Sequence, residues 1–216
     1  MNIIISPFKE KYRDTVREIS YRTAYKGSFA NKIFTDCELF ADLWTNYYLD
    51  CEPQWAWVAK YNGRVIGYLI GSENNFQYKK KMISQIIPKA IISAIFRGTL
   101  WQKNNWWLLK AVLKTYQKRK SYKKVFLKKY PAHFHINIIK GYRSKHIGSC
   151  LVGYFLNQME IKMIKGVYVS VYKDNFVAQK FFKKFGFLPL GQKLIFLHYE
   201  NKYLIKRRLV LYGKEI

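Results

Sequence analysis

The sequence predicts an α/β domain, a mixed sheet with helices on both faces and a basic helical insertion. Three observations predict it. Asn62-Gly63 separates two β-rich runs. That dipeptide is a strong hairpin signal, because both turn positions need positive φ. From His133 onward, strand-like and helix-like segments alternate, as in sheets covered by helices. Between the two halves lies a long segment, residues 74–131, whose apolar residues recur at helical spacing among lysines.

The elements follow in order. Asn2 to Ser6 is a β-branched run ended by Pro7, and reads as a first strand. Lys9 to Tyr25 carries Tyr12, Val16, Ile19 and Ala24 at helical spacing, with Gly27 as the stop. Asp36 to Tyr48 is a second helix, and Pro53 closes that region. Trp55 to Tyr61 and Arg64 to Ile70 are the hairpin strands, with Gly71 to Asn75 as an exit loop. Lys79 to Lys129 reads as two or three basic amphipathic helices. Pro88 kinks or divides the first, and Gly98 ends it. Trp101, Trp106 and Trp107 are expected on the packed side of these helices, over the sheet, with stacking on bases or a place at a lipid surface as the competing reading. His133 to Ile139 is a strand. Ile147 to Ile164 is a helix with Leu151, Tyr154, Phe155 and Ile161 on one side. Val167 to Val171 alternates as a strand with three valines on one face. Asp174 suits the N-cap of a helix over Phe176 to Phe185, and Gly186 suits its stop. Leu194 to Tyr199 and Tyr203 to Tyr212 are two final strands.

Composition narrows the function classes. The 216 residues fit one domain, 1–216, with the insertion at 74–131. Half are hydrophobic and 18% are aromatic, which excludes disorder as the main state. Cys37, Cys51 and Cys150 are too few and too scattered for a disulfide framework or a four-ligand zinc site. No metal is expected, and Cys150 is expected to be buried against the sheet. The absence of a signal-like start and of a long apolar run points to a cytoplasmic protein. The formal charge is +26, and it is unevenly placed. Asn74 to Met159 holds no Asp or Glu but 18 Lys or Arg. An anionic partner at the insertion, nucleic acid or a membrane surface, is one expectation; a merely solvated basic face is the other.

The segment most telling for function runs from His135 to Ser149, where a strand passes through a short basic loop into a helix. Helix N-termini offer unpaired N–H groups and a partial positive charge, which suit a phosphate. Lys140, Arg143 and Lys145 add formal charge there, and Gly148 allows close backbone approach.

These residues also carry a resemblance. Arg143-Ser144-Lys145-His146-Ile147-Gly148 resembles the Arg/Gln-x-x-Gly-x-Gly/Ala motif of the GCN5-related N-acetyltransferases. Asn175, Ala178, Phe181, Gly186 and Phe187 are similar to the same family's second motif. Arg22-Thr23, Gly67 to Gly71, Trp106-Trp107 and Tyr130 to Ile136 resemble the branch related to the acetyltransferase-like domain of O-GlcNAcase. The resemblance implies a mostly antiparallel sheet whose fourth and fifth strands splay, with acetyl-CoA in the gap. It implies that backbone groups near Ile138, Ile139 and Lys140 hold the pantetheine arm. Arg143, Ser144, Lys145, His146, Ile147, Gly148 and Ser149 would surround the pyrophosphate, and Asn175 would reach the cofactor from the next helix. The implied reaction is direct acetyl transfer to a primary amine in a ternary complex.

The sequence departs from the family at four places. His146 replaces a glycine, and Phe182 replaces the tyrosine that protonates the leaving thiolate. Asn74 and Asn137 stand where the branch has carboxylates. A catalytically degenerate acyl-CoA-binding protein is therefore an alternative, as is a basic nucleic-acid or membrane-binding module. His133 and His135, at i and i+2, share a face of the strand and are candidate bases; a structural pair is the competing reading. Glu73 is the nearest acid to that end of the sheet, and a solvated loop charge is its competing reading.

Overall fold

The computed structural model describes residues 2–24, 36–102, 128–198 and 204–216. Among these residues, seven strands form one sheet in the order β1-β2-β3-β4-β5-β7-β6. They are β1 (Ile3–Pro7), β2 (Ala56–Tyr61), β3 (Arg64–Ser72), β4 (Ala132–Ile138), β5 (Gly166–Tyr172), β6 (Leu188–His198) and β7 (Leu204–Glu215). Among the described residues the α-helices are α1 (Arg13–Thr23), α2 (Cys37–Cys51), α3 (Asn75–Lys81), α4 (Ile87–Phe96), α5 (Ile147–Ile161) and α6 (Phe176–Lys184). Every strand pair is antiparallel except β4 with β5.

Local chemistry accounts for most boundaries. Asn62 and Gly63 take φ of 48° and 75°, as the β2–β3 turn requires. Pro7 lies inside β1 rather than after it, which an edge strand tolerates because one side needs no donor. Asp36 caps α2 by accepting from Leu39 N–H at 2.9 Å. Pro88 sits in the first turn of α4, just after a π-helical stretch at Met82–Ile86, so α3 and α4 are joined without a break in helical backbone and Pro88 does not divide them. Gly98, at φ 67°, ends it. The cap of α6 is Asn175, not Asp174: its side chain accepts from Ala178 N–H at 3.1 Å. The Gly27 stop and residues 103–127 of the insertion, with Trp106 and Trp107, lie outside the described residues.

The sheet buries both faces where helices cover it. On one face Leu151, Val152, Phe155 and Met159 of α5 and Phe182 of α6 meet Leu69, Phe134, Val167, Val169 and Val171. On the other, Val16 and Ile19 of α1 and Tyr47, Tyr48 and Leu49 of α2 meet Val58, Tyr68 and Ile70. Tyr154 and Ile161, expected inside, are exposed: the packed stripe of α5 runs through Ile147, Leu151, Val152, Phe155 and Met159 instead. Cys150 is likewise exposed, on the outer side of the first turn. Trp101 is 66% exposed rather than packed on the sheet, and α4 packs Ala90 and Ala94 on Leu39 and Phe40 of α2.

Candidate active site

Strands β4 and β5 pair at two positions only, Ala132 with Val167 and His133 with Tyr168. Past His133 they separate, and the sheet opens into a V. In an antiparallel ladder, successive residues alternate between bonding the neighbour and facing away. Ile139 N–H donates to the Ile66 carbonyl at 3.0 Å, so Ile136 and Ile138 turn their backbone groups toward the gap. The Ile138 carbonyl already accepts from Arg143 Nε at 2.9 Å. Ile139 is not available in the same way, since its carbonyl accepts from Tyr142 N–H at 2.9 Å. Lys140 is exposed at the start of the 3-10 turn Lys140–Tyr142.

The loop then enters α5. Ser144 and His146 adopt φ of 61° and 58°, a region that side chains rarely enter. His146 thus keeps the conformation that a glycine would supply freely, and its side chain is exposed. Ser144 and Lys145 are exposed beside it. The first N–H of α5 to close onto the helix is that of Cys150, on the His146 carbonyl at 3.0 Å. The N–H groups of Ile147, Gly148 and Ser149 therefore have no partner within the helix, at its positive end. A Cβ on Gly148 would lie 3.3 Å from Phe181 and 3.5 Å from Ile138, so the bare glycine lets the helix start approach α6 and β4. Asn175 spends its side-chain oxygen on the α6 cap, which leaves its amide group as the part able to reach a ligand.

The α1/α2 face of the V carries the titratable groups. His133, His135 and Asn137 pair across β3 with Ser72, Ile70 and Tyr68, and all share that face. The two histidines differ in setting. His133 is 5% exposed, its Nε2 lies 2.9 Å from Tyr48 Oη, and its ring stacks on Tyr168 at 5.4 Å. Burial, then the charges of His135, Lys193 and Lys79, hold it well below the usual histidine range. His135 is the next residue on this face beyond the last β4–β5 pair, and it is exposed. Its ring lies 5.5 Å from that of Tyr48 and 6.2 Å from that of His133. Enough protein surrounds it that desolvation, helped by Lys193, lowers its pKa to about 4. Exposure decides what can reach this ring; the surrounding protein decides its charge, which is neutral at pH 7.

The start of the insertion belongs to this site. Tyr78 of α3 packs edge-on to His133 at 4.7 Å, and Asn75 Oδ1 accepts from Tyr168 Oη at 3.1 Å. Asn74 caps α3, accepting from Phe76 and Gln77 N–H, which explains an amide or a carboxylate equally well at that position. Asn137 donates to Tyr68 Oη at 2.8 Å. Glu73 lies past Ser72, at the closed end of the V, beside Glu52. Glu52 is buried, bonded by Tyr47 and Ser72, and burial raises its pKa. Phe182 is buried among Phe134, Phe181 and Phe187, and carries no proton. The residues that sequence reasoning missed are Tyr48, Asn75, Tyr78, Tyr168, Lys193 and Glu52. Only Tyr168 left a local signal: it alternates with the three valines and so had to face away from them.

A sheet opened between a parallel central pair, with a helix N-terminus at the mouth of the gap, is the architecture of the GNAT fold. The family model for acetyltransferases (GNAT) matches residues 20–187, and the chain belongs to that family. It is an N-acetyltransferase by class. No curated protein matches it in sequence. The chain is similar to the solved structure described as SsHAT, with 19% identity and TM-score 0.75, covering 100% of this chain and 98% of that one. It is similar to an N-acetyltransferase from Staphylococcus aureus Mu50, with 13% identity and TM-score 0.59, covering 100% and 99%. A third is the NatC complex bound to Gag peptide and CoA, with 11% identity and TM-score 0.57, covering 100% and 99%. At these identities the structures speak for the fold.

Proposed function

We propose that the protein transfers an acetyl group from acetyl-CoA to a primary amine by direct attack in a ternary complex. The observation that carries this is the V itself, with an exposed neutral imidazole, His135, at its inner end. The residues fit the co-substrate on three counts. The backbone of Ile136 and Ile138 faces the gap, the N–H groups of Ile147 to Ser149 stand at its mouth, and the bare Gly148 lets that helix start lie close against Ile138 of β4. Ile138 would hold the pantetheine arm. Arg143, Lys145 and the α5 N-terminus would hold the pyrophosphate, with Asn175 Nδ2 beside it. Acetyl-CoA supplies an activated thioester.

His135 takes the ammonium proton of the acceptor, directly or through water. A base of pKa about 4 is weak, so much of the rate comes from holding the reactants together, worth about 7–11 kcal/mol in favourable cases. A gap-facing backbone N–H stabilises the oxyanion. The amine nitrogen gains the acetyl carbon as the carbon–sulfur bond breaks, and the nitrogen's second proton passes through water to the leaving thiolate, because Phe182 has none to give.

The test pairs calorimetry with acetyl-CoA and a thiol-release assay over an amine panel. His135→Asn is expected to lower kcat/KM about 100-fold and leave acetyl-CoA affinity within about threefold. Tight binding without release on any amine would favour the degenerate reading, and no binding would overturn both.

A second reading concerns the insertion. Phe96 and Trp101 are 87% and 66% exposed, on a stretch that carries the exposed Lys80 and Lys89 and no acid, while Arg97 is turned onto Asp36 and Asp42. Apolar side chains among cations suit an anionic lipid surface. Sedimentation with phosphatidylserine vesicles that weakens at high salt supports it. Equal binding to neutral vesicles, or binding to RNA alone, overturns it.

A further inference from the structure

The α1/α2 face continues beyond the V. On β5 it carries Tyr168, Ser170 and Tyr172, opposite the buried valines. Register extends this face across β7 and β6: Tyr172 pairs with Leu209, Leu209 with Lys193, and Arg207 with Ile195. Lys193 and Arg207 therefore share one face at diagonal positions of the β6–β7 hairpin, where like charges repel. Both are half-buried, whereas Ser170 between them and the histidines is exposed. The charge of Lys193 is felt at both imidazoles, and that of Lys79 at His133. Of the acids near this face, Glu52 is turned inward onto Tyr47 and Ser72, and Glu73 lies beside it at the closed end of the V. Among the described residues this face of β5, β7 and β6 thus presents cations near the imidazoles, a charge balance that suits an anionic ligand.

Resting on the acetyl-transfer reading, we propose that the acceptor is an amine bearing an anionic group, carboxylate or phosphate. Lys193 and Arg207 receive that group while the amine meets His135. Among the described residues, the wall beside His135 is aromatic, Tyr48, Tyr78 and Tyr168, rather than acidic. The acceptor is held by its negative end and presents its nitrogen to a neutral imidazole, where an uncharged amine is the reactive form.

Matched pairs test this: phenylalanine against phenylethylamine for the carboxylate, and O-phosphoethanolamine against ethanolamine for the phosphate. An anionic member is expected to show kcat/KM at least about tenfold above its neutral partner. Lys193→Gln should raise the anionic amine's KM about tenfold, so that its kcat/KM falls about tenfold relative to that of its neutral partner, a ratio that cancels any change at His135. Which pair responds separates the two anion types. Neutral amines acetylated as well as anionic ones overturn the inference and leave acetyl transfer standing. Should no amine be acetylated, calorimetry with each anionic amine decides. Binding lost in Lys193→Gln supports the anion site while acetyl transfer fails, and no binding overturns the inference too.

Discussion

Tyr48 Oη lies 2.9 Å from Nε2 of His133, joining residues 85 apart in sequence and fixing the imidazole beneath the opening of the V. Tyr48 is 1% exposed, so neither group has water in reserve. Removing the hydroxyl in Tyr48→Phe leaves a buried ring nitrogen without a partner, at about 1–3 kcal/mol. Urea unfolding should show that loss. A stability change below about 0.5 kcal/mol would mean that the bond carries no weight.

Both histidines are held below their ordinary range, so acid should destabilise the protein. In the unfolded chain a histidine titrates near about 6.5. Below that pH the unfolded state binds protons that His133 and His135 do not, so stability falls from pH 6.5 toward pH 4. Unfolding midpoints at pH 7.5 and pH 5 should differ in that direction, and His133→Asn should flatten the slope. An NMR titration should place His135 near pH 4. A midpoint above 6 would refute the desolvated setting.

Gly71 marks a close approach rather than a turn. A Cβ there would lie 2.2 Å from Cε2 of the Phe155 ring, inside the core beneath the V. Gly71→Ala should destabilise by about 1–3 kcal/mol, through overpacking. Adding Phe155→Leu should recover part of that loss, giving a non-additive double-mutant cycle. Full additivity would place the strain elsewhere.

His146 holds a left-handed backbone with an exposed side chain. His146→Gly relieves that conformation at the expense of chain entropy, for a net gain of about 0.5–1 kcal/mol. Thermal unfolding should shift upward, with acetyl-CoA affinity within about threefold. A large loss of affinity would instead assign the imidazole to the phosphates.

What the sequence alone determined is local. The Asn62-Gly63 turn needs two positive φ values, the β4–loop–α5 unit needs a basic loop before a helix start, and the valines of β5 need one buried face. Each is written within a few residues, so each was legible, and together with the two motifs they identified the family. Even local signals misled where two neighbours could serve, as Asp174 and Asn175 could at one cap. Periodicity could not choose between overlapping stripes of α5, and so it misplaced Tyr154 and Ile161. Only tertiary structure brought Tyr48, Tyr78 and Tyr168 around His133, made His133 buried and His135 open, and set Lys193 on the same face. Those relationships depend on strand register and on which helix covers which strand. They arise from contacts between distant segments, and no stretch of the chain encodes them by itself.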